Sequence, residues 1–347
     1  MRTGRTPSLF VHSLMVKFTH MKILIVIQHR LDLWNAPAWF GERLRHDFPV
    51  EVVQRNSYEG IETELRDAEV MFTLSLRPQQ FEAAKQLRWI HAPTAAVHQF
   101  MFPELINSDV VLTNSTKVHG PVVAEHVIAL IFALAKKIPQ AARFQQKRVW
   151  GQEGMWNDGQ HLKEVAGATL GLIGVGSIGR RVAQMASALG MRVIAVREHV
   201  EKGMPEGVEA VFSPAQLGEL LGQSDYVVVA APLLPSTTRL MDAPRLTMMK
   251  PVAFLINVGR GPQVDESALV DALRSHRIAG AALDVFEHEP LPPDSPLWNL
   301  ENLLITPHTA AVTERLWDRH YELIVEDLGR LMAGNPLLNR VDTRRGY

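Results

Sequence analysis

Apolar residues fall along this chain in short consecutive runs rather than in alternation. In the front third, Lys22 to Ile27, Val50 to Val53, Val70 to Leu74, Trp89 to His91 and Val110 to Leu112 read as strands, with helical stretches at Pro37 to Leu44, Ile61 to Arg66 and Gln79 to Lys85. A second series runs through Thr169 to Ile173, Arg192 to Val196, Tyr226 to Ala230, Phe254 to Asn257, Gly280 to Leu283 and Leu303 to Ile305. A strand that is apolar at consecutive positions is covered on both faces. Helices alternate with these strands, so the pattern predicts an α/β fold with doubly wound parallel sheets. Between the two series, Val122 to Lys137 predicts a long buried helix, with Pro121 in its first turn and Lys136, Lys137 and Pro139 marking its end. The helical run Thr313 to Met332 has no strand left to follow in the second series, so it is expected to return to the first domain. The expected division is residues 21–120 plus 310–347, a discontinuous domain, and residues 121–309, which include the linking helix.

With 347 residues, 46% of them hydrophobic, the chain is long enough for two cores. Its formal net charge of -1 offers no bulk attraction to nucleic acid or an anionic membrane. There are no cysteines, which excludes disulfides, thiolate catalysis and cysteine-ligated metals and fits a reducing cytoplasm. Of the apolar runs, Val122 to Ala135 comes nearest to a membrane span, and it carries Glu125 and His126. Residues 1–20 hold Arg2, Arg5 and Lys17 and no acid; the expectation is a leader ahead of the first strand, either disordered or not native.

One stretch changes the picture from architecture to chemistry. The strand Thr169 to Ile173 runs into Gly174-Val175-Gly176-Ser177-Ile178-Gly179 and then into a helical segment, Arg180 to Leu189. Gly174 permits a tight strand-to-helix turn, Gly176 lets a pyrophosphate approach the backbone, and Gly179 allows helix and strand to pack closely. The amides at the start of the helix, around Ser177 and Ile178, would hold the phosphates. The second strand, Arg192 to Val196, closes a βαβ unit of the expected length, so both domains are expected to be Rossmann-like and this one to bind a dinucleotide.

Three other strand ends carry apt side chains. Arg260 follows Phe254 to Asn257, Asp284 and Glu289 follow Gly280 to Leu283, and His308 follows Leu303 to Ile305. Ligands of open α/β sheets bind at strand carboxyl ends. A guanidinium there offers a planar fork to a carboxylate and its neighbouring carbonyl, and an imidazolium held by a carboxylate can deliver a proton near neutral pH. Each residue alone has a plain reading as a cap or a surface ion pair; three in succession are harder to dismiss.

Taken in order, Gly174 to Gly179, Pro232-Leu233-x-Pro235-x-Thr237, Asn257-Val258-Gly259-Arg260-Gly261, Asp284-Val285-Phe286-x-x-Glu289-Pro290 and Pro307-His308 resemble the D-isomer-specific 2-hydroxyacid dehydrogenase family over residues 22 to about 335. The resemblance implies His308 as general acid and base, Glu289 as its carboxylate partner and Arg260 as the substrate anchor. It implies cofactor contacts from Ala231, Pro232, Thr237 and Val258 and from Asp284, which would meet the nicotinamide carboxamide. It places a substrate-binding loop at Thr94 to Val97, with main-chain donors at Ala95 and Ala96 where the family commonly has glycine at the second position, and a pocket residue at Leu76. No metal is implied; a homodimer is.

One departure bears on the coenzyme. Dinucleotide folds that take NAD place an acid at the end of the second strand, and this chain has Arg197 there, which suits the 2′-phosphate of NADP. Glu198, one residue later, keeps NAD open. The expected activity is reduction of a small 2-oxo acid of the glyoxylate or hydroxypyruvate type to the D-2-hydroxy acid, and the reverse. A phosphite or formate dehydrogenase of the same fold is an alternative, although a formate enzyme would have Gln in place of Glu289. A nucleotide-sensing, corepressor-like regulator is the alternative from another class.

Overall fold

The computed structural model describes residues 21–157, 159 and 161–344; the expected leader lies outside them. The chain divides into two compact units, one made of the described residues up to Val118 together with those from Thr313, the other spanning His119–Val312.

The first unit holds five parallel strands, β1 (Lys22–Val26), β2 (Glu51–Arg55), β3 (Val70–Thr73), β4 (Trp89–Ala92) and β5 (Val111–Asn114), in the order β2-β1-β3-β4-β5. Successive side chains of a strand point to opposite faces, and here both faces are covered. Ile23 and Ile25 pack with Phe40, Tyr321, Ile324 and Leu328 on one side, whereas Leu24 and Val26 pack with Ile61, Leu65 and Phe100 on the other. Burial of each such side chain contributes about 1.5–3 kcal/mol, so a charge placed at Ile25 would break the sheet's centre. The final helix, Leu316–Met332, thus belongs to this unit's core through Tyr321, Ile324 and Leu328.

The second unit holds seven parallel strands, β6 (Thr169–Ile173), β7 (Arg192–Val196), β8 (Ala210–Phe212), β9 (Tyr226–Val229), β10 (Phe254–Asn257), β11 (Gly280–Leu283) and β12 (Leu303–Ile305), in the order β12-β11-β10-β9-β6-β7-β8. The chain fills one side of β6 with β7 and β8 and then crosses to β9 on its other side. That reversal opens a crevice at the carboxyl ends of β6 and β9. Both sheets are parallel, as continuous apolar runs predict. Of the strands, only β8 escaped the sequence reading: it is an edge strand of three residues, none fully buried, and an apolar run that short does not stand out.

The linking helix corrects the sequence reading at both ends. It spans Thr116–Ala135, so Pro121 lies inside it rather than at its first turn. The true start is marked by Asn114, whose Oδ1 accepts from the Thr116 amide at 3.3 Å and from its hydroxyl at 2.5 Å. Pro121 forfeits one helical hydrogen bond, a loss offset by burial of Val123, Val127 and Ile131 against β6 and β9. Lys137 is excluded from the helix by its left-handed backbone, φ 52°, and Ile138–Gln146 then forms a separate helix with Pro139 in its first turn. Counted from Thr116, the linking helix has the length and mean hydropathy, 1.8, of a membrane-crossing segment, but 67% of that window is buried inside the protein. It is a core helix.

Candidate active site

Gly174 closes β6 with φ 97°, a conformation that costs other residues dearly, and a Cβ placed on it would lie 2.8 Å from the backbone of Ala231. The turn and the end of β9 therefore touch at the reversal point of the sheet. Two residues on, Gly176 precedes the helix Ser177–Ala188, and a Cβ there would meet nothing within 4 Å. Gly176 is thus not required by packing within the chain. An open backbone at a helix N-terminus is what a pyrophosphate needs, and these residues fit a dinucleotide. Ile178 packs on the core, and Gly179 crosses so near Gly174 that a Cβ would sit 2.2 Å from its carbonyl oxygen.

At the far side of the same sheet, the residues after β10, β11 and β12 build a cluster of ionisable side chains. His308 Nδ1 lies 2.6 Å from Glu289 Oε2, and the amide of Phe286 donates to Glu289 Oε1 at 3.0 Å. Burial pushes the Glu289 carboxyl up, but these hydrogen bonds and the charges of His308 and Arg260 outweigh it and hold the group below the usual carboxylate range. Arg260 is half-buried and donates through Nη1 to the Gly259 carbonyl at 2.7 Å. Burial pulls its guanidinium below its ordinary value while the Glu289 charge opposes the shift; an arginine remains charged throughout. The triad inferred from sequence is therefore electrostatically one group. His308 itself stands at φ 52°, in the left-handed region, its amide bonded to the carbonyl of Asp284 at 2.9 Å.

Asp284 is buried and its carboxylate serves the protein. Oδ1 accepts from the Thr306 hydroxyl at 2.6 Å and the Thr309 amide at 2.9 Å, and Oδ2 accepts from the Ala310 amide at 3.0 Å. His126 Nε2, on the linking helix, reaches Thr306 Oγ1 at 3.1 Å. The sequence reading aimed Asp284 at the coenzyme; the bonds the structure shows run to the loop that carries His308.

The other residues singled out from sequence divide into two kinds. Ala231 and Pro232 offer backbone at the crevice, and Val258 is buried in the core that lies under β10. Thr237 turns inward: its hydroxyl accepts from the Leu234 amide at 2.8 Å and donates to the Pro232 carbonyl at 2.7 Å, shaping the loop after β9. Arg197 follows β7, and its Nη1 donates to the Gly203 carbonyl at 3.3 Å. In the first unit, Thr94 Oγ1 bonds the Ala96 carbonyl at 2.6 Å and Asn114 Nδ2 the Ala95 carbonyl at 3.1 Å. Ala96 is not among the described non-glycine residues of positive φ, so alanine sits there without strain. Leu76 is 2% exposed and packs with the unit's core cluster that includes Val97 and Phe100.

Several residues at this site were silent in the sequence. Gln263 is fully buried; its Oε1 accepts from the Arg260 amide at 2.7 Å and its Nε2 donates to the carbonyls of Ala231 and Pro232 at 3.2 and 3.3 Å. It ties the arginine turn to the end of β9, and its spacing of three from Arg260, a pattern typical of capped turns, was a usable signal. Asn257 clamps the same turn, accepting from the Gly259 amide at 3.0 Å and donating to the Arg260 carbonyl at 3.1 Å. His119 is buried and pushed down to about 4 by burial and by the Arg260 charge. Nothing local flags His126, whose partner is 180 residues away.

Comparison with known proteins bears on this arrangement. A family model described as D-isomer specific 2-hydroxyacid dehydrogenase, NAD binding domain, matches residues 128–310. A glyoxylate reductase of Korarchaeum cryptofilum is 35% identical over 320 residues, covering 90% of this chain and 89% of its own length. Among solved structures, a D-isomer specific 2-hydroxyacid dehydrogenase from Xanthobacter autotrophicus Py2, in complex with NADPH and MES, is similar with a TM-score of 0.80 and 32% identity, over 94% of this chain and 99% of that one. An NADPH-dependent glyoxylate/hydroxypyruvate reductase from Sinorhizobium meliloti, in complex with NADP and sulfate, has a TM-score of 0.78 and 25% identity, over 94% and 100%. With the glycine turn, the parallel sheet and the Arg260, Glu289 and His308 cluster in place, the chain belongs to the D-isomer-specific 2-hydroxyacid dehydrogenase family.

Proposed function

We propose that this protein reduces a small 2-oxo acid of the glyoxylate or hydroxypyruvate type to the D-2-hydroxy acid, and runs the reverse oxidation, with NADP(H) preferred over NAD(H). The observation that carries this reading is the 2.6 Å contact between His308 and an ionised Glu289 in the same cluster as Arg260. When bound at the glycine turn, the reduced nicotinamide coenzyme supplies the hydride. Arg260 holds the acid's carboxylate and carbonyl through its fork and, being desolvated, acts more strongly on the charge that develops on the carbonyl oxygen. His308 gives that oxygen a proton from Nε2 while Nδ1 stays on Glu289, whose second oxygen is pinned by the Phe286 amide. In the oxidation, neutral His308 takes the proton back.

Around this chemistry, Gly174, Gly176, Ser177, Ile178 and Gly179 hold the pyrophosphate, and Ala231, Pro232 and Val258 line the nicotinamide side. Arg197 grips the 2′-phosphate. The backbone amides of Ala95 and Ala96 act as carboxylate donors. The first unit is then the substrate domain and the second the dinucleotide domain. Self-association as a homodimer uses the exposed apolar side chains Ile138, Val149, Trp150 and Trp156 of the second unit, and a cytoplasmic setting suits the cysteine-free chain.

The test is a panel of 2-oxo acids assayed with NADPH and NADH in parallel. Turnover of glyoxylate or hydroxypyruvate, faster with NADPH, is expected; coenzyme binding without turnover of any acid would favour a nucleotide-sensing regulator.

A further inference from the structure

The loop that carries His308 has to hold a left-handed residue, a conformation that is unfavourable for a side chain with a β-carbon. Such a residue persists only where its surroundings over-determine it. Three of its restraints come from one residue. The Asp284 carbonyl accepts the His308 amide, while the Asp284 carboxylate accepts the next two amides, Thr309 and Ala310, at 2.9 and 3.0 Å. A fourth contact, from the Thr306 hydroxyl at 2.6 Å, reaches the same carboxylate from the residue two before His308.

The donors in this train are forced by its chemistry. Carboxylate Oδ1 can only accept, so the single hydroxyl proton of Thr306 points at Asp284. Thr306 Oγ1 must then accept from His126, which therefore carries its proton on Nε2. The sequence of donors is His126 Nε2–H to Thr306 Oγ1–H to Asp284 Oδ1, entering from a helix buried in the core of the second unit. Burial pushes His126 down, opposed by the nearby Asp284 charge, which agrees with a neutral ring that donates by one nitrogen only.

We infer that His126 and Thr306 are positioning residues for the acid-base histidine, fixing the Asp284 carboxylate so that it holds the His308 loop. The inference rests on the proposed role of His308. Neither side chain touches the 2-oxo acid in this assignment; each acts through the geometry of the residue that does. A displacement of the proton donor by about 1 Å is enough to cost on the order of a hundredfold in rate, so loosening this train should be felt in kcat.

Thr306→Val removes the hydroxyl and keeps the shape, and Thr306→Ser restores it; His126→Phe removes the donor, and His126→Gln returns an N–H at nearly the same reach. Three readouts are taken on the full chain. First, kcat for glyoxylate with saturating NADPH is expected to fall about tenfold to a hundredfold in Thr306→Val and His126→Phe, with KM and NADPH affinity within about twofold, and to recover most of the way in Thr306→Ser and His126→Gln. Second, adding Thr306→Val to His308→Ala should lower the rate no further, because the contact acts only through His308. Third, amide hydrogen exchange of the segment 305–312 should speed up in Thr306→Val and His126→Phe and return to normal in the two conservative variants.

The exchange measurement needs no turnover, so it decides the inference even if the proposed reaction is wrong. Unchanged exchange in both disruptive variants overturns it. So does a rate loss that adds in full to that of His308→Ala, or an equal loss of NADPH binding, which would place the train in the coenzyme site. Absence of 2-oxo acid turnover in the native protein, with exchange responding as expected, would instead sink only the proposed reaction.

Discussion

The two units carry similar parallel sheets, and one histidine at a strand end in each is treated in opposite ways. His91 in β4 and His308 after β12 both stand at the carboxyl end of a strand. His91 is fully buried, with Nδ1 2.8 Å from the Thr113 hydroxyl and Nε2 3.0 Å from that of Ser115, and burial pushes it down to about 3. His308 is 43% exposed at its side chain and meets a carboxylate at 2.6 Å. Acids show the same contrast. Burial pushes Asp327 in the first unit up to about 6, whereas Glu289 in the second is held below its ordinary value despite burial. Hydroxyl partners satisfy a neutral ring without charging it, whereas hydrogen bonds to the anion and opposite charges together keep a half-buried carboxylate ionised. Position at a strand end offers the opportunity for chemistry, and the neighbouring side chain decides whether it is taken.

The most severe way to break the comparison is His308→Ala. Rates for glyoxylate should fall by about a hundredfold to ten-thousandfold, the range of a missing general acid, while NADPH still binds. Near-normal steady-state kinetics would make His308 as inert as His91.

Arg197→Asp tests the coenzyme side of the second unit. Loss of a charge-assisted phosphate contact is worth about 1.5–3 kcal/mol, so the ratio of kcat/KM for NADPH over NADH should drop by roughly tenfold to a hundredfold and reverse. A ratio unmoved in paired assays would detach Arg197 from the 2′-phosphate.

His91 predicts a dependence of stability on pH. Its pKa of about 3 when folded lies below the ordinary 6.5, so the unfolded chain binds the extra proton between these values. Stability is therefore full above pH 6.5 and lost as pH falls towards 3, by up to about 1.4 kcal/mol per pH unit. Urea melts of the native protein and His91→Gln across this range should show a shallower slope in the variant, whatever its absolute stability.

Asp327 runs the other way and more weakly. Its pKa of about 6 exceeds the ordinary 3.8, so the folded form is favoured at low pH and weakened as pH rises between them. Asp327→Asn keeps an acceptor for the Leu338 amide, which donates to Oδ1 at 2.7 Å, and discards the buried charge. At pH 7 its melting temperature should exceed the native value by a few degrees, at about 2–4 °C per kcal/mol, and the two should converge near pH 4. Equal melting temperatures at both pH values would mean that the charge is solvated in the folded protein.

Much of the site was legible because it is written in short motifs at strand ends. Gly174, Gly176 and Gly179 are set by local geometry, and Arg260, Glu289 and His308 each follow an apolar strand whose end is easy to place. A lone apolar residue in a loop, such as Leu76, looks the same in sequence whether it faces a pocket or a core. The start of the linking helix was misplaced because Pro121 is a strong local signal, and the stabilisation that tolerates it comes from β6 and β9 packing beneath.

By itself the sequence determined the two parallel sheets, the glycine turn and the identity of the three ionisable residues, since each depends on periodicity, on a glycine's missing Cβ or on a residue's chemistry. Only the tertiary structure decided what those residues do to one another. Glu289 and His308 are 19 residues apart, Asp284 and Ala310 26, and His126 and Thr306 180. Their hydrogen bonds exist because β10, β11 and β12 end side by side under a buried helix. A charge state depends on the burial and partners that surround it, and those are properties of the fold, not of any stretch of the chain.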